Sequence, residues 1–248
     1  MRTIIVGDVH GCRSELEGLL DRVAFSSGDR LVFVGDLVAR GPDSLGVLDI
    51  VRRSGAIVVR GNHEQKLLDW RHARAAWMHG QAAAKPPIGR MHRDIARSLR
   101  PVDWTLLETA PLFVELPEHG ACVVHAGLIP GIALEAQSPR TLMRVRSLRV
   151  EGRQRGRAAS VLWGAAYAGP PHVLFGHNAA PGLQLHPWAT GLDTGCVYGG
   201  RLTAMVLAMG QHVPRAAAAR RATLLSEPAQ RVWFAPAAGG SGARIEPA

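Results

Sequence analysis

The chain has 248 residues and 47% hydrophobic content, enough to bury a full core as one domain, and its longest apolar run falls far short of the ~18 residues that span a bilayer. Its formal charge of +9 rests on arginine, since Lys66 and Lys85 are the only lysines; it reads either as compositional bias or as a positive field that steers polyphosphates or nucleic acid. Cys12, Cys122 and Cys196 lack the spacing of a disulfide framework or zinc knuckle, and Met1-Arg2-Thr3 opens without a signal-peptide layout, so reduced thiols and a cytoplasmic location are expected.

The first strand is predicted over Ile4-Ile5-Val6, where an apolar run meets Gly7-Asp8-Val9-His10-Gly11. Asp8 and His10 share one side of an extended segment and can chelate one ion. A serine-capped helix is predicted over Ser14 to Val23. Leu31-Val32-Phe33-Val34 then leads to Gly35-Asp36-Leu37-Val38-Ala39-Arg40-Gly41. A carboxylate has two oxygens and can bridge cations about 3.5 to 4 Å apart, so Asp36 is the expected bridge. Arg40 is placed to grip a phosphate oxygen with its planar fork. A second serine-capped helix is predicted over Ser44 to Ser54, and Ile57-Val58-Val59 delivers Gly61-Asn62-His63-Glu64. Asn62 is a metal ligand in this reading, and His63 a general acid, because imidazole titrates near neutrality.

From Trp70 to Trp104 the pattern turns basic and helical, interrupted by Pro86-Pro87, and is expected to form a cap inserted over the metal face. Strands resume at Leu112 and run through Met209; Cys122-Val123-Val124 delivers His125, and Val173-Leu174-Phe175 delivers Gly176-His177. Arg144 and Arg146 alternate on what reads as an extended segment, so one of them is expected to clamp phosphate. Trp70, Trp77, Trp104, Trp163, Tyr167 and Tyr198 are candidates to stack on a base, Tyr198 first among them because it follows the Asp193 turn. After Pro214 the composition shifts to Ala, Arg, Pro and Gly; Arg231-Val232-Trp233-Phe234 is expected to add an edge strand, and residues 237–248 to be disordered. The expected organisation is one domain over residues 1–236, with the helical cap at about 70–105.

Taken singly, Asp8 or Asp36 merely ends a strand, and His125 or His177 reads as a satisfied core histidine. Six candidate ligands in order, each beside glycine or at a strand end, have no such bland account. His72, His79, His92, His119, His172, His186 and His212 lack this context and receive no ligand role. Asp8 and His10 would hold one ion and Asn62, His125 and His177 another, with Asp36 between. Mixed oxygen and imidazole donors suit two divalent ions of the Mn, Co, Fe or Zn kind, Mn foremost, better than Ca.

These motifs resemble the calcineurin-like metallophosphoesterases, specifically the phosphoprotein-phosphatase branch that includes bacterial symmetrical diadenosine tetraphosphate hydrolases. The likeness covers about residues 1–209. Gly35 to Ser44 and Leu192-Asp193-Thr194-Gly195-Cys196-Val197-Tyr198-Gly199-Gly200 are similar to the dinucleotide hydrolases, as is Thr141 to Arg146. The protein phosphatases carry an aspartate where this chain has Ala39; there it orients the catalytic histidine, so His63 must find another partner. The resemblance implies an α+β fold of four layers, αββα, with the metals at one edge of two sheets. It also implies cleavage of diadenosine tetraphosphate to two ADP, and of nucleoside-polyphosphate caps on RNA. Nothing marks a membrane or an obligate protein partner. The competing readings are a Ser/Thr protein phosphatase or broad phosphomonoesterase with the same metal centre, and a nucleic-acid-binding or regulatory protein without catalysis.

Overall fold

Strand runs without polar alternation, such as Ile4-Ile5-Val6, require apolar surroundings on both faces. The computed structural model supplies them, and describes residues 1–84, 86–150 and 159–235. In chain order the elements are β1 (Arg2–Val6), α1 (Arg13–Arg22), β2 (Arg30–Phe33), α2 (Ser44–Arg53), β3 (Ile57–Val58), α3 (Asn62–Met78), α4 (Arg90–Ser98) and α5 (Pro101–Thr109). There follow β4 (Phe113–Leu116), β5 (Ala121–Val124), α6 (Pro139–Arg144), β6 (Ser147–Val150), β7 (Ala159–Leu162), α7 (Trp163–Ala166) and β8 (His172–Phe175). The last are β9 (Gln184–Leu185), β10 (Ala189–Gly191), β11 (Arg201–Ala208), α8 (Ala217–Arg221) and β12 (Leu224–Pro228).

Two five-stranded sheets result, in the orders β12-β11-β1-β2-β3 and β4-β5-β8-β10-β9, beside a β6-β7 pair. At the centre of the first, Ile5 of β1 lies opposite Val32 in parallel β2 and Met205 in antiparallel β11. Successive side chains of β1 part company: Ile4 and Val6 join Leu16, Leu19, Val47 and Leu48 of α1 and α2, while Ile5 meets Val123 and Leu174 of the second sheet. On β5 and β8 the other set, Val124, Val173 and Phe175, packs with Leu142 of α6 and Trp163 of α7. Three apolar layers thus separate helix, sheet, sheet and helix, the α+β sandwich expected. Each fully buried Leu, Ile or Phe contributes about 1.5 to 3 kcal/mol, so the layers fix strand order.

Local expectations fared unevenly. Neither serine caps its helix. Gly11 donates to Leu37 O at 2.8 Å and accepts from Asp43 N at 3.0 Å, which ties down the chain just before α1 and leaves Ser14 inside the first turn. For α2 the cap is Asp43, whose Oδ1 accepts from Gly46 N at 2.7 Å, while Ser44 Oγ accepts from Ala39 N at 3.0 Å. The helical stretch starts at Asn62 rather than Trp70, ends at Thr109, and breaks near Pro86-Pro87. Its Leu67, Leu68, Leu99 and Leu107 belong to the same apolar cluster as Ile4, so these helices share the core of α1 and α2. Thr141 to Arg144 is helical, because Ser138 Oγ accepts from Thr141 N at 3.0 Å and Pro139 fits a first turn. Arg231 to Phe234 forms no strand: Trp233 N and Phe234 N both donate to Val197 O, and the edge position goes to β12. Trp163 is a core residue whose Nε1 donates to Ala126 O at 2.9 Å. Cys12 and Cys196, far apart in sequence, meet beside Glu15 in the core, and Glu15 Oε1 accepts from Trp233 Nε1 at 2.7 Å. The expectation for residues 237–248 lies outside the described residues.

Candidate metal centre

The five sequence islands meet at the carboxyl ends of β1, β2, β3, β5 and β8, on loops under backbone strain. Six non-glycine residues among those described have positive φ, and five of them are His10 (49°), Asp36 (50°), Ala39 (74°), Arg40 (69°) and His177 (68°). Such conformations persist only where the surroundings over-determine them. Glu64 supplies much of that restraint. Its fully buried carboxylate accepts N–H groups from Asp36 at 2.9 Å, Leu37 at 2.9 Å, Val38 at 3.3 Å and Gly61 at 3.0 Å. Glycine is required at two close approaches, since a Cβ at Gly176 would collide with the Asp8 carboxylate and one at Gly61 with Asp36.

Asp36 sits in the middle. Its Oδ1 accepts the His63 backbone N–H at 2.9 Å, so that oxygen is committed. Its Oδ2 lies 3.6 Å from His10 Nε2 on one side and 3.5 Å from His125 Nε2 on the other. One oxygen, not two, therefore faces both groups. His10 Nε2 is also 4.0 Å from Asp8 Oδ2, and Asp8 accepts the His177 backbone N–H on both oxygens at 3.1 Å. His177 falls in one cluster with Asp36 and His125.

Hydrogen bonds on the far side of each ring decide what the near side offers. His10 Nδ1–H donates to Val38 O at 3.1 Å and His125 Nδ1–H to Val34 O at 3.0 Å, which leaves Nε2 of each with its lone pair turned inward. Burial keeps His125 neutral, down to about 4. Its Nε2 then points a lone pair at Asn62 Oδ1, 3.1 Å away, and at Asp36 Oδ2: three electron-rich atoms in contact. A cation among them makes such a set favourable. The donor set thus fits divalent metal ions on both sides of Asp36. Burial raises the carboxyl groups in the same way, Asp36 and Asp193 to about 6 and Glu64 to about 7, with Asp8 also raised well above its ordinary range. A positive charge already stands at the first group, where the Arg40 guanidinium meets His10 Nε2. That lone pair cannot serve Arg40 and a metal ion together.

The remaining expected residues gather here too. Arg40 lies over the Tyr198 ring, 5.5 Å from its centroid, so one face of that ring is turned to the clamp. Arg144 and Arg146 both counter the rise at Asp36, and Arg146 donates to His177 O at 3.5 Å. Arg144 is the last residue of α6 and Arg146 lies two residues beyond it, so the segment expected to be extended is helical up to Arg144. Of the basic residues between Trp70 and Trp104, Arg71, Arg74, Arg93 and Arg97 line a separate cavity of about 590 Å³ among α3, α4 and α5, with Trp70 and Trp104. Two residues were missed by sequence reasoning. Asp193 is a further buried carboxyl group interacting with Asp8 and Asp36, flagged only by its place before Thr194-Gly195. His92, in α4, meets the His63 ring with Nε2 3.0 Å from Nδ1, and no sequence signal pointed to it.

Comparisons with known proteins agree with this geometry. A family model described as calcineurin-like phosphoesterase matches residues 1–207. The symmetrical bis(5'-nucleosyl)-tetraphosphatase of Chromohalobacter salexigens is 34% identical over 282 residues, covering 89% of this chain and all of that one. The asymmetrical bis(5'-nucleosyl)-tetraphosphatase of Halalkalibacterium halodurans is 30% identical over 220 residues, covering 83% of this chain and 89% of that one. A crystal structure of a protein assigned as a diadenosine tetraphosphatase superposes with a TM-score of 0.72 at 35% identity, over 92% of this chain and 93% of that one. A Saccharomyces cerevisiae Ser/Thr phosphatase shares the fold, with a TM-score of 0.55 at 16% identity.

Proposed function

We propose a substrate from one established premise: the chain belongs to the calcineurin-like phosphoesterase family. It is a metal-dependent phosphoesterase, and we infer that it hydrolyses dinucleoside polyphosphates, diadenosine tetraphosphate yielding two ADP. The observation that carries this reading is the placing of Arg40 at His10 Nε2 and of Arg146 at His177 O, on the two sides of Asp36, a spread of positive charge suited to a chain of phosphates. One relative, matched over its whole length, is named a symmetrical tetraphosphatase, which supports the same register, while the other is named asymmetrical. RNA capped by a nucleoside polyphosphate presents the same linkage and belongs to the same proposal.

In this mechanism Asp8, His10 and Asp36 would hold one divalent ion, and Asp36, Asn62, His125 and His177 would hold the other. Two such ions, of the Mn, Co, Fe or Zn kind, polarise phosphoryl oxygens and acidify water when bound. Arg40, released from His10, and the pair Arg144 and Arg146 grip non-bridging oxygens and align the phosphate chain. His63 delivers a proton to the departing ADP oxygen. Burial and the cationic neighbours depress His63, and an arriving polyanion opposes that depression.

Product analysis tests the reading. With Mn present, diadenosine tetraphosphate should give two ADP. AMP plus ATP would shift the register by one phosphate, toward the asymmetrical relatives. An inert dinucleotide alongside rapid dephosphorylation of a phosphopeptide would replace the proposal with a protein phosphatase.

A further inference from the structure

We propose that His92 is a positioning residue for His63, holding the ring so that Nε2 alone is free for proton transfer. The inference rests on the reading of His63 as proton donor to the leaving group. The two rings lie nearly parallel, 19° apart with centroids 5.0 Å from each other, and His63 Nδ1 faces His92 Nε2 at 3.0 Å. Two imidazole nitrogens at that separation share one hydrogen, whichever ring supplies it. Nδ1 of His63 is then occupied, and a ring flip would break the contact. Ala39, on the neighbouring loop, has no polar side-chain atom to take the same role.

His92 is itself held firmly. It is 3% exposed, the third residue of α4, and that helix is anchored at several points. Met91, its neighbour, accepts the Arg40 backbone N–H at its sulfur. Arg93 Nη2 donates to Ile88 O at 3.0 Å, and Ile95 and Leu99 pack on the apolar cluster shared with α2. Two consecutive residues of one helix thus touch the loop that carries the clamp and the first turn of α3 that carries the proton donor. An active-site histidine needs its orientation set by a partner. In this chain α4 provides that partner.

The test compares His92→Leu, which cannot hydrogen-bond, with His92→Gln, whose amide nitrogen reaches the place of Nε2. His92→Leu should lower kcat on diadenosine tetraphosphate about 10- to 100-fold with KM and bound metal unchanged, and should cost more on phenyl phosphate than on p-nitrophenyl phosphate, since phenolate is the poorer leaving group and gains more from a proton. His92→Gln should recover most of the loss. In a His63→Asn background, His92→Leu should add nothing, whereas a purely structural role would add its full effect. Independently of substrate, 15N NMR of the zinc-loaded protein should show one fixed tautomer of His63, and a mixture in His92→Leu. An unchanged tautomer together with wild-type kcat on the dinucleotide would overturn the proposal. Failure of the wild type to cleave the dinucleotide would sink the substrate reading while leaving the NMR result to decide the role of His92.

Discussion

Asp36 has one oxygen bonded to the His63 N–H and the other between His10 and His125, so its charge serves both halves of the site. Asp36→Asn should therefore lose both ions together, since a neutral amide cannot balance two cations; metal analysis showing two tightly held ions and normal turnover would contradict the bridge. Arg40→Lys keeps the charge but removes the fork, and kcat on the dinucleotide should fall at least 10-fold if two oxygens are gripped. Near-wild-type kinetics would mean that Arg40 contributes only field. The identities of these residues were legible in the sequence because each sits beside glycine at a strand end. Their strained backbone was not, since a positive φ at Asp36 or His177 arises from contacts with Glu64 and Asp8, remote in sequence.

Among the elements, the start of α3 does more than present Asn62 and His63. Glu64 in its first turn closes around four backbone N–H groups, and Glu64→Ala would leave them buried without an acceptor. A loss of about 3 kcal/mol or more is expected, because each unmet buried donor costs about 1 to 3 kcal/mol. Urea unfolding of the metal-free protein measures it, and a loss below about 1 kcal/mol would assign Glu64 a lesser role. Arg144 ends α6 and Arg146 follows it; if both grip phosphate, Arg144→Ala and Arg146→Ala should each raise KM for the dinucleotide, whereas an effect confined to one of them would match the single clamp expected of an extended segment. The strands that deliver the site residues could be read from β-branched runs because burial on both faces leaves a strong apolar signal, whereas their order in the sheets could not. Helix positions at Ser14 and Ser44 were legible to within a residue, but their caps were misread, since loop-to-loop bonds and Asp43 decide the first turn. Pairing of His63 with His92 depends on how α4 folds back after Pro86-Pro87, and no local pattern records that.

Across the whole molecule, buried histidines set the response to acid. His172, its Nε2 2.9 Å from Thr190 Oγ1 and away from the metal loops, is pushed down to about 3 by burial. Its folded value lies below its unfolded value of 6.5, so below that pH the unfolded chain takes a proton that the folded one refuses. The stability it contributes is complete above about 6.5 and is lost as pH falls toward about 3, at about 1.4 kcal/mol per pH unit for one histidine. Denaturant unfolding between pH 7.5 and 5 should show this decline, and His172→Gln should remove one proton from its slope; an unchanged slope would place the acid sensitivity elsewhere. The placing of β1 between β2 and β11 has a further consequence during synthesis. The first strand to leave the ribosome waits for one of the last, since Arg201–Ala208 supplies its antiparallel neighbour. At ordinary elongation rates that interval is roughly 10 to 40 s. Throughout it β1 keeps one open edge, and although β5 and β8, which cover Ile5, emerge earlier, that side of the first sheet stays unpaired until its closing strand arrives.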